Sequence, residues 1–133
     1  MRNLKLKSKG FTLVEIMIVV AIIALLAAIA IPNLLRAKMA ANDALAKATL
    51  RSLSTSSESF ATANSGTYPG DEASLTSAVP PYINKNYCNL SISGYVYGCG
   101  WGPSTYSFTA TPGTVGTSGT TTYTITTGGV LTP

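Results

Sequence analysis

Histidine is absent from the sequence, and the chain from Ala73 to Pro133 contains no aspartate or glutamate. These side chains are the usual general bases and metal ligands in proteins. Their absence leaves the C-terminal region without the groups that most catalytic and calcium-binding sites need. The composition therefore predicts a protein that is not an enzyme and that binds no metal or cofactor.

Acidic residues are scarce in the rest of the chain as well. The sequence has five Asp and Glu residues against nine Lys and Arg residues, for a formal net charge of +4. Four of the cations lie before position 11, at Arg2, Lys5, Lys7 and Lys9, so loss of residues 1–10 would leave five residues of each sign. The basic excess belongs to the N-terminus, and the sequence predicts no specific nucleic-acid partner.

A long apolar run dominates the N-terminal third. The segment Phe11–Ile31 reads FTLVEIMIVVAIIALLAAIAI, and no charged residue occurs from Ile16 to Leu35. A helix of about 20 apolar residues crosses the hydrocarbon core of a bilayer. A chain of 133 residues has too little other material to bury such a helix on all sides. The pattern predicts one membrane-spanning helix, with the basic N-terminus in the cytoplasm and the C-terminal part outside.

One ionisable residue, Glu15, lies near the start of this run. A carboxylate inside a membrane costs about 2.5 kcal/mol or more unless it is paired. A cut between Gly10 and Phe11 would create an amino group four residues upstream, one helical turn from Glu15. Either the carboxylate pairs with such an amine, or it reaches the membrane interface and has no further role. The residues alone leave both interpretations open.

The segment Lys9–Glu15 (KGFTLVE), followed by an apolar run that ends before Pro32, resembles the N-terminal signature of type IV pilins and the related pseudopilins. The resemblance implies that a prepilin peptidase cuts between Gly10 and Phe11 and that the new N-terminus becomes N-methylphenylalanine. It also implies that Glu15 guides assembly into a filament and that Pro32 marks a kink in the helix. An ordinary secretory signal matches less well, because its cleavage site follows the apolar run.

This interpretation divides the chain into four segments. They are a cleaved leader peptide at 1–10, a transmembrane or filament-core half of a long helix at 11–35, an amphipathic half of that helix at 36–64, and a globular head of loops and antiparallel sheet at 65–133.

The amphipathic half is predicted from apolar residues three and four positions apart, which place Leu50, Leu53 and Phe60 on one face. Asp43 and Lys47 have the spacing and order of a favourable ion pair on one helix.

Proline and glycine mark two positions along the helix. Pro32 has no amide hydrogen to donate, so the helix is expected to kink or loosen at that turn. Gly66 suits a left-handed cap, so the helix is expected to end near Ala63.

The chain beyond Tyr95 changes period. Tyr106 and Phe108 alternate with polar residues, and so do Tyr123 and Ile125, with Gly-rich turns between the runs. The fold is therefore predicted to be α+β and type IV pilin-like. In it, the long N-terminal helix packs against a small C-terminal antiparallel sheet of three to four strands.

Two cysteines, Cys88 and Cys99, lie in the part expected outside the cytoplasm. An oxidising compartment and an even count at short spacing favour one intramolecular disulfide. Zinc binding is the alternative, but two cysteines without a histidine do not complete a usual zinc site.

The predicted function is that of a structural subunit of a type IV pilus or related envelope filament. Its partners would be further copies of itself, the bacterial inner membrane before assembly, a prepilin peptidase, and the assembly platform and motor of the machine. The finished filament would be extracellular or periplasmic. One alternative is a pseudopilin of a type II secretion system, and another is a membrane-anchored binding domain that never polymerises.

Overall fold

The computed structural model describes residues 10–133, so the predicted leader lies outside the described residues except for Gly10. Residues 10–133 form two helices and five strands. They are α1 (Leu13–Ala63), α2 (Ala73–Thr76), β1 (Ser91–Ile92), β2 (Tyr95–Trp101), β3 (Tyr106–Pro112), β4 (Tyr123–Thr126) and β5 (Val130–Thr132). The predicted α+β class is confirmed.

The long helix α1 has 51 residues and contains Pro32. It continues through Pro32, and a kink there stays a prediction. After Ala63 the backbone enters a left-handed turn, in which Ser65 and Gly66 have φ values of 56° and 87°. The Gly66 N–H donates to the Ala61 carbonyl at 2.8 Å and closes the last turn. Glycine adopts this conformation at little steric cost, so the helix ends where the sequence predicts.

The chain divides into two compact units, Met1–Leu35 and Arg36–Pro133. The first contains residues 11–35, which are called the apolar stem below. The second is called the globular unit and contains the rest of α1, α2 and the sheet.

The sheet is an antiparallel meander in the order β1-β2-β3-β4-β5. It has one strand more than the upper predicted number. The two edge strands, β1 and β5, have two and three residues. Segments this short show no alternation of apolar and polar residues, so the sequence does not reveal them.

The core of the globular unit lies between one face of the sheet and α1. Tyr97 and Phe108 from the sheet and Leu50 and Leu53 from the helix have no exposed surface. Burial of one such side chain stabilises the fold by about 1.5–3 kcal/mol. The predicted packing of the sheet on the Leu50 and Leu53 face is confirmed.

Candidate processing and assembly site

The apolar stem exposes its side chains. Leu13, Leu25 and Leu34 are 74%, 66% and 72% exposed. The helix that carries them is long and apolar enough to cross a membrane, judged by length and composition. A continuous apolar surface of this extent is unfavourable in water. The stem therefore needs lipid or other protein around it.

The predicted cut site precedes the helix. Gly10 and Phe11 lie before the first helical residue, Leu13, and Phe11 is 85% exposed. A Cβ placed on Gly10 would meet no atom of the described residues within 4 Å. Local packing in the described chain thus sets no requirement for glycine here.

Thr12 and Glu15 cap the start of α1 reciprocally. The Thr12 N–H donates to Glu15 Oε2 at 2.7 Å, and the Thr12 hydroxyl donates to the same oxygen at 2.8 Å. In return, the Glu15 N–H donates to Thr12 Oγ1 at 3.3 Å. This is a capping box, in which Ser or Thr at the N-cap faces Glu three residues later. It satisfies backbone donors that the first turn of a helix leaves unpaired.

The capping box changes the interpretation of Glu15. The structure brings Thr12 to the carboxylate, and the Thr-x-x-Glu pattern of such a box is present in the sequence. Pairing with an amine created by a cut before Phe11 stays a prediction. Both bonds from Thr12 end on Oε2, which leaves Oε1 for a further donor.

The disulfide is present as predicted. Cys88 and Cys99 are bonded, with their Cα atoms 5.6 Å apart, and the bridge links the segment before β1 to β2. The N–H groups of Tyr87 and Cys88 both donate to Glu72 Oε1. The loop after α2 is therefore fastened both covalently and through a carboxylate.

Glu58 of α1 joins three parts of the globular unit. Its Oε1 accepts hydrogen bonds from the Tyr106 hydroxyl at 2.8 Å and the Gly128 N–H at 2.9 Å, and its Oε2 accepts one from the Tyr68 hydroxyl at 2.9 Å. Burial acts to raise the pKa of Glu58, but these donors favour the ionised form and bring the pKa below its ordinary value. Burial and the neighbouring carboxylate raise the pKa of Tyr106 to about 12.

Asp43 makes a second such junction. Its Oδ1 accepts a hydrogen bond from the Tyr95 hydroxyl at 2.5 Å, and its Oδ2 accepts one from the Thr120 hydroxyl at 2.9 Å. Lys47 also packs on the sheet, since its Nζ lies 4.8 Å from the centre of the Tyr123 ring. That distance is within the range of a cation–π interaction. Burial acts to raise the pKa of Asp43, but the Tyr95 and Thr120 hydroxyls and the charge of Lys47 bring the pKa below its ordinary value.

These junctions carry no local signal in the sequence. The partners of Glu58 and Asp43 lie up to 70 and 77 residues away along the chain. Periodicity and spacing describe neighbours on one element, so they do not reveal contacts of this range.

The chain matches known proteins both in its N-terminal segment and over most of its length. A family model described as "Prokaryotic N-terminal methylation motif" matches residues 5–31. The type IV wide pilus major component PilA4 of Thermus thermophilus is 38% identical over 116 residues, which cover 84% of this chain and 85% of that protein. The type IV major pilin protein PilA of Myxococcus xanthus is 50% identical over 54 residues, which cover 41% of this chain and 24% of that protein. No solved structure matches the chain significantly.

The chain belongs to the type IV pilin family. The similarity to the Thermus protein covers 84% of the chain, so it is not confined to the N-terminal motif. The motif itself contains Gly10, Phe11 and Glu15. Both relatives are pilus proteins by name, and the pseudopilin alternative gains no support from them.

Proposed function

We propose that the protein is a structural subunit of a type IV pilus, made as a membrane-anchored precursor and polymerised through its apolar stem. The observation that carries the proposal is the exposed apolar stem in a chain whose relatives are major pilus components. Such a stem is suited to two surroundings in turn, the lipid bilayer and a bundle of identical stems. The protein acts by assembling with copies of itself.

Processing comes first in this scheme. A prepilin peptidase cuts between Gly10 and Phe11, and the new amine at Phe11 is methylated. The cut removes four cations and leaves five residues of each charge sign. The precursor waits in the inner membrane with its C-terminal part outside, and the assembled filament is extracellular.

Assembly exchanges lipid for protein around the stem. Moving an apolar helix from lipid into a bundle of like helices gains little hydrophobic free energy, because lipid tails are already apolar. The direction of this exchange is then set by the assembly platform and its motor. Pro32 lies within the stem, where a loosened turn would let the helix adapt to its neighbours.

Glu15 sets the register of neighbouring subunits in this scheme. Thr12 holds Oε2, and Oε1 is left to accept the Phe11 amine of an adjacent subunit. An ion pair in an apolar bundle penalises any axial offset that leaves one charge unpaired.

The test is to shear filaments from cells that produce the protein and to identify its N-terminal peptide by mass spectrometry. The expected peptide begins at Phe11 and carries one methyl group on its amine. A protein that begins at Met1, or that stays monomeric in the membrane while the machinery is active, would rule out the proposal. A processed protein confined to the envelope would point to a secretion pseudopilin.

A further inference from the structure

The carboxylates of this chain are engaged by uncharged donors of the same chain. The pairs are Thr12 with Glu15, Tyr95 and Thr120 with Asp43, Tyr68, Tyr106 and Gly128 with Glu58, Ser74 with Asp71, and Tyr87 and Cys88 with Glu72. These are all five acidic residues of the sequence. Among the described residues, none of these donors is a lysine or arginine; Lys47 and Lys85 lie over the rings of Tyr123 and Tyr87, and Lys47 also acts on Asp43 through its charge.

Two cations line one groove of the globular unit. The groove, called the basic groove below, is bounded by Lys47 and Arg51 of α1, by Tyr123 of β4 and by Leu131, Thr132 and Pro133. Arg51 is exposed, and Lys47 lies against the Tyr123 ring. The acid nearest in sequence, Asp43, uses both of its oxygens for Tyr95 and Thr120. Arg51 is the exposed cation of the basic groove, and its guanidinium is suited to a carboxylate from outside.

Asp71 is the acid best placed to supply that carboxylate. It is exposed, whereas Asp43, Glu58 and Glu72 are half-buried. The Ser74 N–H and hydroxyl donate to Asp71 Oδ1 at 2.8 and 2.6 Å, so Oδ2 remains for a partner. These two bonds also fix the side chain, which lowers the entropy lost on pairing.

Asp71 lies in the segment beside the β1 edge of the sheet, and the basic groove lies at the β5 edge. Glu72, the next residue, accepts hydrogen bonds from Tyr87 and Cys88, which lead into β1. The groove contains residues of β4 and β5, and the strand order places β1 and β5 at the two edges. A contact between two different surfaces is heterologous, and it propagates into an open helical filament unless the rotation closes a ring.

We infer that Asp71 of one subunit enters the basic groove of the next subunit and pairs with Arg51 and Lys47. The partner is a second copy of this chain, because charge complementarity between these two surfaces is built into one sequence. The inference rests on the proposed function, since it requires that copies polymerise.

A charge exchange tests the inference in cells that carry the pilus machinery. The variants are Arg51→Glu, Asp71→Arg and the combination of both, each made in the full chain. We expect each single reversal to lower the yield of sheared filament by about tenfold or more, because like charges then face each other. We expect the combination to restore the yield to within about twofold, because the pair is re-formed with its signs exchanged.

Two further variants separate the effect of the Asp71 charge and of the groove from a general effect of changing the net charge. Asp71→Asn keeps an oxygen for Ser74 and removes only the charge, so we expect up to about a fivefold loss of filament. Lys85→Glu makes the same charge change at an exposed cation outside the basic groove, and we expect an unchanged yield. Cleavage after Gly10 and formation of the Cys88–Cys99 bridge serve as checks that each variant is folded.

The inference is wrong if folded, cleaved single reversals assemble like the wild type, or if the combination stays as defective as they are. A wild-type chain that keeps residues 1–10 and forms no filament would overturn the proposed function instead. The two failures are therefore distinguishable.

Discussion

Tyr106 in β3 donates its phenolic hydrogen to Glu58 in α1 across 2.8 Å, and the contact ties the sheet to the helix through a carboxylate. Tyr106 is 2% exposed and stacks on Phe108 with ring centres 5.0 Å apart. The ring of Tyr106 packs in the core and its hydroxyl bonds to the helix. Phenylalanine could fill the same space, but it has no hydroxyl to donate to Glu58.

Replacing Glu58 tests how much this junction stabilises the globular unit. We expect Glu58→Ala to lower the free energy of unfolding by about 1–3 kcal/mol, because the Tyr68 hydroxyl and the Gly128 N–H lose their acceptor. The Tyr106 hydroxyl keeps a contact with Ser54 Oγ at 2.7 Å, which limits the loss. The measurement is chemical unfolding of the full chain in detergent, followed by the near-ultraviolet circular dichroism of the tyrosines.

Glu58→Gln is the matched control for that measurement. It keeps an acceptor oxygen and removes the charge, so its loss of stability is expected to be smaller than that of Glu58→Ala. An alanine variant as stable as the wild type would show that the junction contributes nothing measurable.

The same carboxylates predict how stability depends on pH. Asp43 and Glu58 have lowered pKa values in the folded chain, against ordinary values of 3.8 and 4.5. A depressed carboxyl pKa contributes stability that is present above the ordinary value and is lost as the pH falls through the folded value. We therefore expect the melting temperature of the globular unit to hold steady from neutral pH to about pH 5 and then to decline. Thermal melts in a pH series check this, and an unchanged melting temperature at about pH 3 would contradict it.

Removing the disulfide tests how much the covalent link between Cys88 and Cys99 stabilises the globular unit. The residues Cys88 and Cys99 are 11 positions apart. We expect Cys88→Ser combined with Cys99→Ser to lower the free energy of unfolding by about 3 kcal/mol, because the unfolded chain regains the freedom that the closed loop removes. Denaturant unfolding of the variant and of the reduced wild type should agree. Equal stability of the oxidised and reduced wild type would refute this prediction.

Two substitutions of Glu15 separate its charge from its role as a cap. We expect Glu15→Ala to be inserted and cleaved but to form no filament, because the charge that pairs with the Phe11 amine is gone. Glu15→Gln keeps an oxygen for the Thr12 N–H, as capping boxes with Gln do, and lacks only the charge. If charge pairing sets the register, Glu15→Gln also fails to polymerise. Filaments of normal yield from either variant would show that Glu15 does not set the register.

The parts of the fold that were predictable are those that depend on local repetition. The apolar stem, the Leu50 and Leu53 face of α1 and the alternation in β3 follow from helical and strand periods, because a repeated pattern marks one buried face. The edge strands β1 and β5 have too few residues for such a pattern.

The polar junctions were not predictable for a different reason. Tyr106 and Glu58 are 48 residues apart, and only the tertiary packing of sheet on helix brings them together. The capping box of Thr12 and Glu15 is a local motif, so it was open to prediction from spacing alone. Thr12, three positions before Glu15, supplies a neutral donor to the carboxylate whose cost in a membrane would otherwise be uncompensated.

The Cys88–Cys99 bridge closes a loop of residues 89–98, in which Asn89, Leu90 and Ser91 form an exposed stretch. A protease that cut the backbone within this stretch would leave the two fragments covalently joined. A subunit nicked there would therefore not shed its C-terminal fragment, and the damage would become visible on a gel only after reduction.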